Sequence, residues 1–471
     1  MLHGYGGRIL RVDLSSRRIL REKIDPDYMA RAIGGRGLNS LRMLDELDLN
    51  LDPLSPENLL IMGIGPLTGS LLTSSAGMTI SGKSPLTNRV GNSITSGFFG
   101  PELKRAGYDQ VIFTGKAKNP CYLLVADDHV EIKDATHLWG LDTWQATSAI
   151  LKELGSNLFQ VAAIGPAGEN LVKFANLAFN GFRMGGGNGM GCLLGSKNLK
   201  AIVVHGTSQV TLAKPLIFHA LCSEMDQKII AHDTFDEITK ETPARANQVK
   251  NKSCYNCNLN CFHYHVKEQV ELEGPEHDSL HGYSSRLGVD DLSSSLKMNT
   301  YLNKMGIDSL ESTQTIGLTM ECFQKGLLNR NDVDGLDFSL GNQKTVYAIL
   351  KKMITREGVG DLFAEGISKL SETLGKKSEN SLKISEIADP LVKKQKTFFT
   401  GQTDQQELLM DCMTLCKKNE LAMDTLDIDA ASKFLTAGTG IDFTLKRIEK
   451  SLQGIIDANK KMNTDLSSIK E

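Results

Sequence analysis

Several things are scarce in this 471-residue chain, and each scarcity closes a class of function. Neither sign of charge is in excess: 53 basic side chains stand against 56 acidic ones, for a net charge of -3. A nucleic-acid-binding protein normally carries a basic excess or stripe, so nucleic acid is not an expected partner. No apolar run approaches the ~20 residues that span a bilayer. The N-terminal stretch MLHGYGGRILRVDL has no apolar signal core followed by a small-residue cleavage site, so a cytoplasmic location is the default expectation. Cysteine is sparse. Nine in the whole chain are too few for a disulfide framework and suit reduced thiols with a metal site. No internal repeat and no low-complexity tract is present. What remains is a chain that is 40% hydrophobic, enough for a sizeable core, with length for roughly three domains of about 150 residues.

Against that sparse background three cysteines stand close together. Cys254, Cys257 and Cys261 in SCYNCNLNCF form C-x2-C-x3-C. One short loop at this spacing can turn three thiolates onto one face of a [4Fe–4S] cluster, whose fourth ligand then comes from elsewhere. Zinc is an alternative, because His263 and His265 follow closely and could complete a tetrahedral set. A thioredoxin-like pair needs only two cysteines, which the third argues against. Cys416 in LMDCMTLCKKNEL is the favoured fourth ligand, although Cys412 lies one helical turn earlier and spacing barely separates the two. Cys121, Cys192, Cys222, Cys322 and, on its plain reading, Cys412 read as buried small hydrophobes.

The first ~205 residues are rich in glycine and short apolar runs. LLIMGIGPL, AGMTISG, QVIFTG, CYLLVA, HVEIK, FQVAAIG and KAIVVHG read as strands bounded by turn residues, with helices such as TWQATSAILKELG between them. An α+β domain ending near Gly206 is expected. From about Lys214 the apolar residues recur at three- and four-residue spacing, as in LIFHALCSEMDQKIIAH and QKTVYAILKKMITREG, so the chain turns helical. The cysteine loop is expected between helices. GKKSENSLK, at 375–383, reads as a linker, and Asp404 to Lys461 again reads helical.

Three glycine-rich stretches carry basic or amide side chains. One is GGRGLN, with Gly34, Gly35, Arg36 and Gly37. SGKSPLTNRVGNSITSGFFG holds Lys83, Ser84, Asn88, Arg89, Asn92 and Ser93. FRMGGGNGMGCLLGSKNLKAI holds Arg183, Gly185, Gly186, Gly187 and Asn188. Glycine at this density lets backbone approach a ligand and offers bare N–H groups to anions; a tight structural crossing is the plain alternative. Neither a Walker loop nor a dinucleotide fingerprint fits the spacing. Three such stretches suggest a large polyanionic cofactor.

These residues, taken in order, resemble the tungsten-containing aldehyde:ferredoxin oxidoreductases. The matching runs include YGGRILRVDLSSRRI, DPLSPENLLIMGIGPLTG, KSPLTN, GFFGPELKRAGYDQVIFTGKA, AAIGPAGENLVKFANL, KSCYNCNLNCF, LEGPEHDS, GVGDLFAEGISKL and DCMTLC. The resemblance implies an α+β fold: an N-terminal two-sheet domain supporting a tungsten (or molybdenum) bis-pterin, then two mainly helical domains, the last one shortened. It divides the chain at 1–208, 209–383 and 384–471. It implies oxidation of a small aldehyde to a carboxylate, with electrons leaving through a [4Fe–4S] cluster to ferredoxin or another redox subunit. It puts the cluster ligands on Cys254, Cys257, Cys261 and Cys416, the last five residues after a pterin-contacting Asp411. With the glycine stretches, the candidate cofactor contacts are Arg36, Gly37, Lys83, Ser84, Arg183, Gly185, Gly186, Gly187, Asn188, Asp308, Asp411 and Leu415. Glu276 and Asp278 in GPEHDS are the candidate proton-transferring pair, since paired carboxylates suit proton movement to or from a bound water; a solvated turn is the plain reading.

The chain also departs from that pattern. The family's RAAGRGG-like run reads RMGGGNG, with Gly187 at the second arginine, and a further family arginine aligns with Gly77. Each loss removes a charge-assisted phosphate contact. The family's Asn-Ser-Gly-Gly step reads Ile94, Thr95, Ser96 and Gly97, and an acidic pterin contact reads Asn303. The segment between ISKLSETLG and DCMTLC contains no histidine, whereas the family places a substrate-side histidine there. Lys297 stands where a dimer-bridging metal ligand would sit, so a homo- or hetero-oligomer is left open. Two functions follow. One is a working metallopterin oxidoreductase with a more open pocket. The other is a paralogue without the tungstopterin that relays electrons or holds a complex together.

Overall fold

Alternation along the early apolar runs decides the architecture. In Gln110–Thr114, Val111 and Phe113 join one core while Ile112 joins another, as successive strand residues point to opposite faces. The computed structural model describes residues 3–181, 183–232, 248–258, 262–267, 270–273, 282–377, 381–399, 404–416 and 425–465. Its N-terminal part is two six-stranded sheets. The first contains β1 (Arg8–Asp13), β2 (Arg18–Lys23), β3 (Leu60–Gly63), β4 (Met78–Lys83), β5 (Val90–Thr95) and β6 (Gln110–Thr114), in the order β2-β1-β6-β3-β4-β5. The second contains β7 (Cys121–Ala126), β8 (His129–Asp134), β9 (Gln160–Ala163), β10 (Leu177–Phe179), β11 (Arg183–Gly185) and β12 (Leu199–His205), in the order β11-β10-β9-β12-β7-β8. In each sheet one neighbouring pair is parallel, β1 with β6 and β7 with β12. Leu10, Met62, Ile80 and Phe113 of one sheet bury against Leu123, Ala162, Leu177 and Val204 of the other.

Two of the glycine-rich stretches contain helices. Gly35–Glu46 is a helix, and so is Met190–Ser196. Burial outweighs glycine's poor helix propensity here: both helices pack on the sheets, with Leu38 and Met43 on one and Leu193 and Leu194 on the other.

Beyond His205 the chain is mainly helical, as its periodicity predicts. One core joins the helices Leu292–Met305, Ser309–Gln324, Gln343–Thr355 and Ile367–Lys377 through Leu302, Ile316, Ile349 and Leu370. A second joins Pro215–Ile230 with Gln405–Met413, Ile428–Thr439 and Leu445–Asp465 through Phe218, Leu409, Phe434 and Leu452. The expected linker at 375–383 is largely helix: Ile367–Lys377 ends in it and Ser381–Phe399 begins in it. Ile384 and Ala388 of that second helix bury in the first core, so position 384 falls inside a packed element.

The cysteine loop does not sit between helices. It connects β13 (Gln248–Lys252) to β14 (Phe262–Lys267), and β15 (Val270–Glu273) completes a three-stranded antiparallel sheet. FHYHVKEQVELE interleaves aromatic and β-branched residues with polar ones, a strand signal masked by the helical pattern on either side. Among the described residues no helix is long and apolar enough to cross a membrane.

Candidate functional site

Three distant stretches of chain meet at Ser74. Its N–H donates to Asn256 O of the cysteine loop at 3.1 Å, and its carbonyl accepts the Cys416 N–H at 3.1 Å. Its Oγ lies 3.8 Å from Cys257 Sγ. The loop is fixed further by Tyr255 N–H on Gly97 O at 3.1 Å, Tyr255 Oη on Gly69 O at 3.0 Å and Asn256 Nδ2 on Leu71 O at 2.5 Å. Cys254 is buried and Cys257 half-buried. Arg183 Nη2 donates to Cys254 Sγ at 3.2 Å.

Backbone strain marks the same junction. Ser74, Asn256 and Thr414 have φ of 64°, 46° and 55°. Residues other than glycine in this region each cost on the order of 1–3 kcal/mol and persist only where their surroundings hold them. Thr414, being β-branched, is the most strained of the three.

The geometry separates the two late cysteines that spacing could not. Cys412 is wholly buried in the apolar core of the C-terminal helices, its sulfur against Gly37. Cys416 is half-exposed and tied to the residue that also faces Cys257. None of the eight described cysteines is in a disulfide. Cys261, Glu276 and Asp278 lie outside the described residues. Among those described, no three His, Cys, Asp or Glu side chains already surround a metal-sized space. A guanidinium at one sulfur and a hydroxyl at another are what thiolate ligands would favour, so the donors present fit an iron–sulfur cluster.

On one side of this junction lies Asp411. It is fully buried and accepts Arg36 Nη1 at 2.9 Å. The peptide that follows is clamped to the N-terminal domain: Thr414 Oγ1 accepts the Gly65 N–H at 2.9 Å and lies 2.5 Å from Thr68 Oγ1, while Thr414 O accepts the Gly77 N–H at 2.9 Å. A Cβ at Gly77 would run into that same Thr414 carbonyl. The position where the family resemblance puts an arginine therefore has no room for a side chain. Leu415 is buried in the C-terminal core, and Gly37 packs on Cys412.

Asp308 is tied instead to the glycine turn that follows Arg183. A strand-like bridge between Ala175 and Ile307, with Asn176 N–H on Gly306 O at 2.8 Å, delivers it to the glycine turn. It caps the helix Ser309–Gln324 by accepting the Glu311 N–H at 2.9 Å. Its other oxygen accepts the Gly187 N–H at 3.1 Å and Asn176 Nδ2 at 3.4 Å. Gly187 has φ of 93°, so the turn is built for glycine at the second arginine position as well. Burial pushes the Asp308 carboxyl above its ordinary range, and the N–H donors around it oppose that rise. Asn176 Oδ1 and Asn188 Oδ1 are buried without a partner among the described residues. These acceptors suit the amino and ring N–H donors of a pterin edge, whereas a phosphate, itself an acceptor, would gain nothing from them.

Lys83 and Ser84 are bonded within the chain. Lys83 Nζ donates to Leu49 O at 2.6 Å and Leu51 O at 2.7 Å. Ser84 Oγ donates to Asn188 O at 2.9 Å and accepts two turn N–H groups. Gly185 closes β11 opposite Leu177. Ser74, Asn176 and Thr414 are absent from the sequence-based list. Nothing in TSSAG marks Ser74, while Asn176 and Thr414 stand inside the family-like runs KFANL and DCMTLC.

A two-sheet N-terminal region, mainly helical regions after it and a cysteine loop where they meet give the chain its outline. Comparison with known proteins makes that specific. The profile of the aldehyde ferredoxin oxidoreductase N-terminal domain matches residues 9–206, and that of the family's domains 2 and 3 matches residues 218–397. The chain is 35% identical over 411 residues to the tungsten-containing aldehyde ferredoxin oxidoreductase of Pyrococcus furiosus, covering 79% of this chain and 68% of that one. The Pyrococcus abyssi enzyme of the same name is 34% identical over 410 residues, at 79% and 68% coverage. The aliphatic sulfonate oxidoreductase, WOR-like subunit, of Pyrococcus furiosus is 28% identical over 446 residues, at 82% and 68%. Among solved structures, the active-site complex BamBC of benzoyl coenzyme A reductase with 1,5-dienoyl-CoA shares the fold at a TM-score of 0.84 and 24% identity, over 98% of this chain and 89% of that one. The chain belongs to the aldehyde ferredoxin oxidoreductase family.

Proposed function

We propose that this chain is a cytoplasmic iron–sulfur oxidoreductase that oxidises an aldehyde to a carboxylate and passes the electrons to ferredoxin or another redox subunit. The observation that carries this reading is the Ser74 junction, which holds the Cys254–Cys257 loop and Cys416 from opposite sides. Cys254, Cys257, Cys261 and Cys416 would hold a [4Fe–4S] cluster. A tungsten or molybdenum bis-pterin, when bound, supplies the two-electron oxidation itself. Asp308, Asn176 and Asn188 would accept hydrogen bonds from one pterin, beside the Gly186–Gly187 turn. Arg36 holds the Asp411 carboxylate at the other end. Glu276 and Asp278 are assigned the proton transfers at their carboxylate oxygens.

A second reading is favoured by one observation: both lost arginine positions are occupied by glycines that the backbone requires, Gly77 against Thr414 O and Gly187 at positive φ. In that reading the chain relays electrons or scaffolds a complex without the tungstopterin, as suits a family in which one relative is named as a subunit. Metal and pterin analysis of protein purified without oxygen separates the two. About four iron per chain with about one tungsten or molybdenum supports the enzyme. The same iron without tungsten, molybdenum or pterin supports the relay, and absence of iron overturns both. Cys416→Ser should remove the visible absorbance of the cluster while Cys412→Ser keeps it; the reverse result would move the fourth ligand to Cys412.

A further inference from the structure

We infer that Arg183 sets the reduction potential of the cluster by holding a fixed positive charge against a ligand sulfur. The inference rests on the cluster reading above and goes beyond it, because it gives this arginine a task toward the cluster rather than toward a pterin phosphate. Arg183 begins β11. From there its Nη2 donates to Cys254 Sγ at 3.2 Å. Its stem runs beside Gly97, where an added Cβ would touch Arg183 Cγ at 3.7 Å. Gly97 O in turn accepts the Tyr255 N–H, so the same residue lies against both the arginine and the cysteine loop.

The physics of the contact has one sign. Reduction adds one negative charge to the cluster, and a neighbouring cation stabilises the reduced form more than the oxidised one. Hydrogen bonds to cluster sulfurs and local charge are recognised levers on such potentials. Cys254 is only 5% exposed, so water and salt screen the interaction weakly. A guanidinium stays protonated at any working pH, so the effect does not titrate away. Ser74 Oγ, 3.8 Å from Cys257 Sγ, offers a neutral and longer contact of the same sense.

The test is a mediated redox titration of the intact protein, purified without oxygen, followed by the electron paramagnetic resonance of the reduced cluster, with iron counted in parallel. Arg183→Gln should make reduction about tenfold less favourable, equivalent to about 59 mV for one electron. Arg183→Lys keeps the charge and should stay within about threefold of wild type. An intact cluster with unchanged potential in Arg183→Gln overturns the inference while leaving the cluster reading standing. A wild-type protein without iron overturns the cluster reading itself. If Arg183→Gln cannot hold iron, Arg183→Lys decides: a retained cluster near wild-type potential supports the charge, whereas a tenfold loss, or loss of the cluster in both variants, makes the arginine structural.

Discussion

The two acidic side chains Asp411 and Asp308 are held by opposite strategies. At Asp411 the chain supplies its own counter-charge, Arg36, and closes the space with the peptide of Thr414. At Asp308 no cation among the described residues forms an ion pair; amide and backbone donors face the carboxyl group, and two asparagine carbonyls, of Asn176 and Asn188, have no partner among the described residues. A buried ion pair fixes geometry but is costly to break on one side only. A buried carboxylate among N–H groups, with acceptors to spare, is instead a surface that awaits donors. The difference leaves unused hydrogen-bond acceptors on the Asp308 side, whereas on the Asp411 side the peptide that leads to Cys416 is braced against the N-terminal sheets.

That contrast can be broken most severely at the brace. Arg36→Met leaves the Asp411 carboxylate buried without its counter-charge and should cost about 3–5 kcal/mol. The thermal unfolding midpoint should fall clearly, and Arg36→Met with Asp411→Asn should recover part of the loss. A midpoint equal to wild type in the single variant would mean that the pair braces nothing. A smaller effect is expected at Gly77. Gly77→Ala pushes a methyl group into the Thr414 carbonyl and should cost about 1–3 kcal/mol, with loss of Cys416's hold on Ser74 visible as slower cluster assembly from iron and sulfide. If the substitution is neutral, the strap can retreat, and the Asp411 end is more open than the comparison makes it.

The sequence exposes these two ends unequally. Strands were legible where apolar and polar residues alternate between two cores, as in QVIFT, and helices where they recur at three and four. The cysteine loop stands out in the sequence through its spacing, and Cys416 through the family-like run around it; their proposed shared role is for the metal analysis to decide. The loop's setting between β13 and β14 was not legible, since a short strand signal flanked by helical periodicity carries little weight. The contacts of Ser74 and Asn176 could not be read for a different reason, although Asn176 stands inside a family-like run. Their roles are made by contacts with Cys257 and Asp308, 183 and 132 positions away, and nothing local in TSSAG or KFANL encodes those partners. The two missing arginines were legible as losses, but only the fold shows that neither position tolerates a return.

The smallest expected effect lies at Asp308 and sharpens the contrast through its pH dependence. Burial raises the Asp308 carboxyl above its ordinary value of 3.8, so the folded protein keeps this proton to a higher pH than the unfolded chain does. The stability contributed by the group is therefore complete below the unfolded value and is lost as pH rises through the raised folded one. Asp308→Asn keeps an oxygen to cap the Glu311 N–H but removes the group that ionises. Relative to wild type, the variant should gain stability as pH rises from the ordinary carboxyl value through the raised folded one, on top of a pH-independent loss of the bond from Gly187. Thermal midpoints of the two proteins measured across that range should converge or cross. Parallel curves would show that Asp308 ionises as freely as in the unfolded chain, which would mean that a cation outside the described residues serves it as Arg36 serves Asp411, and the two ends would then be built alike.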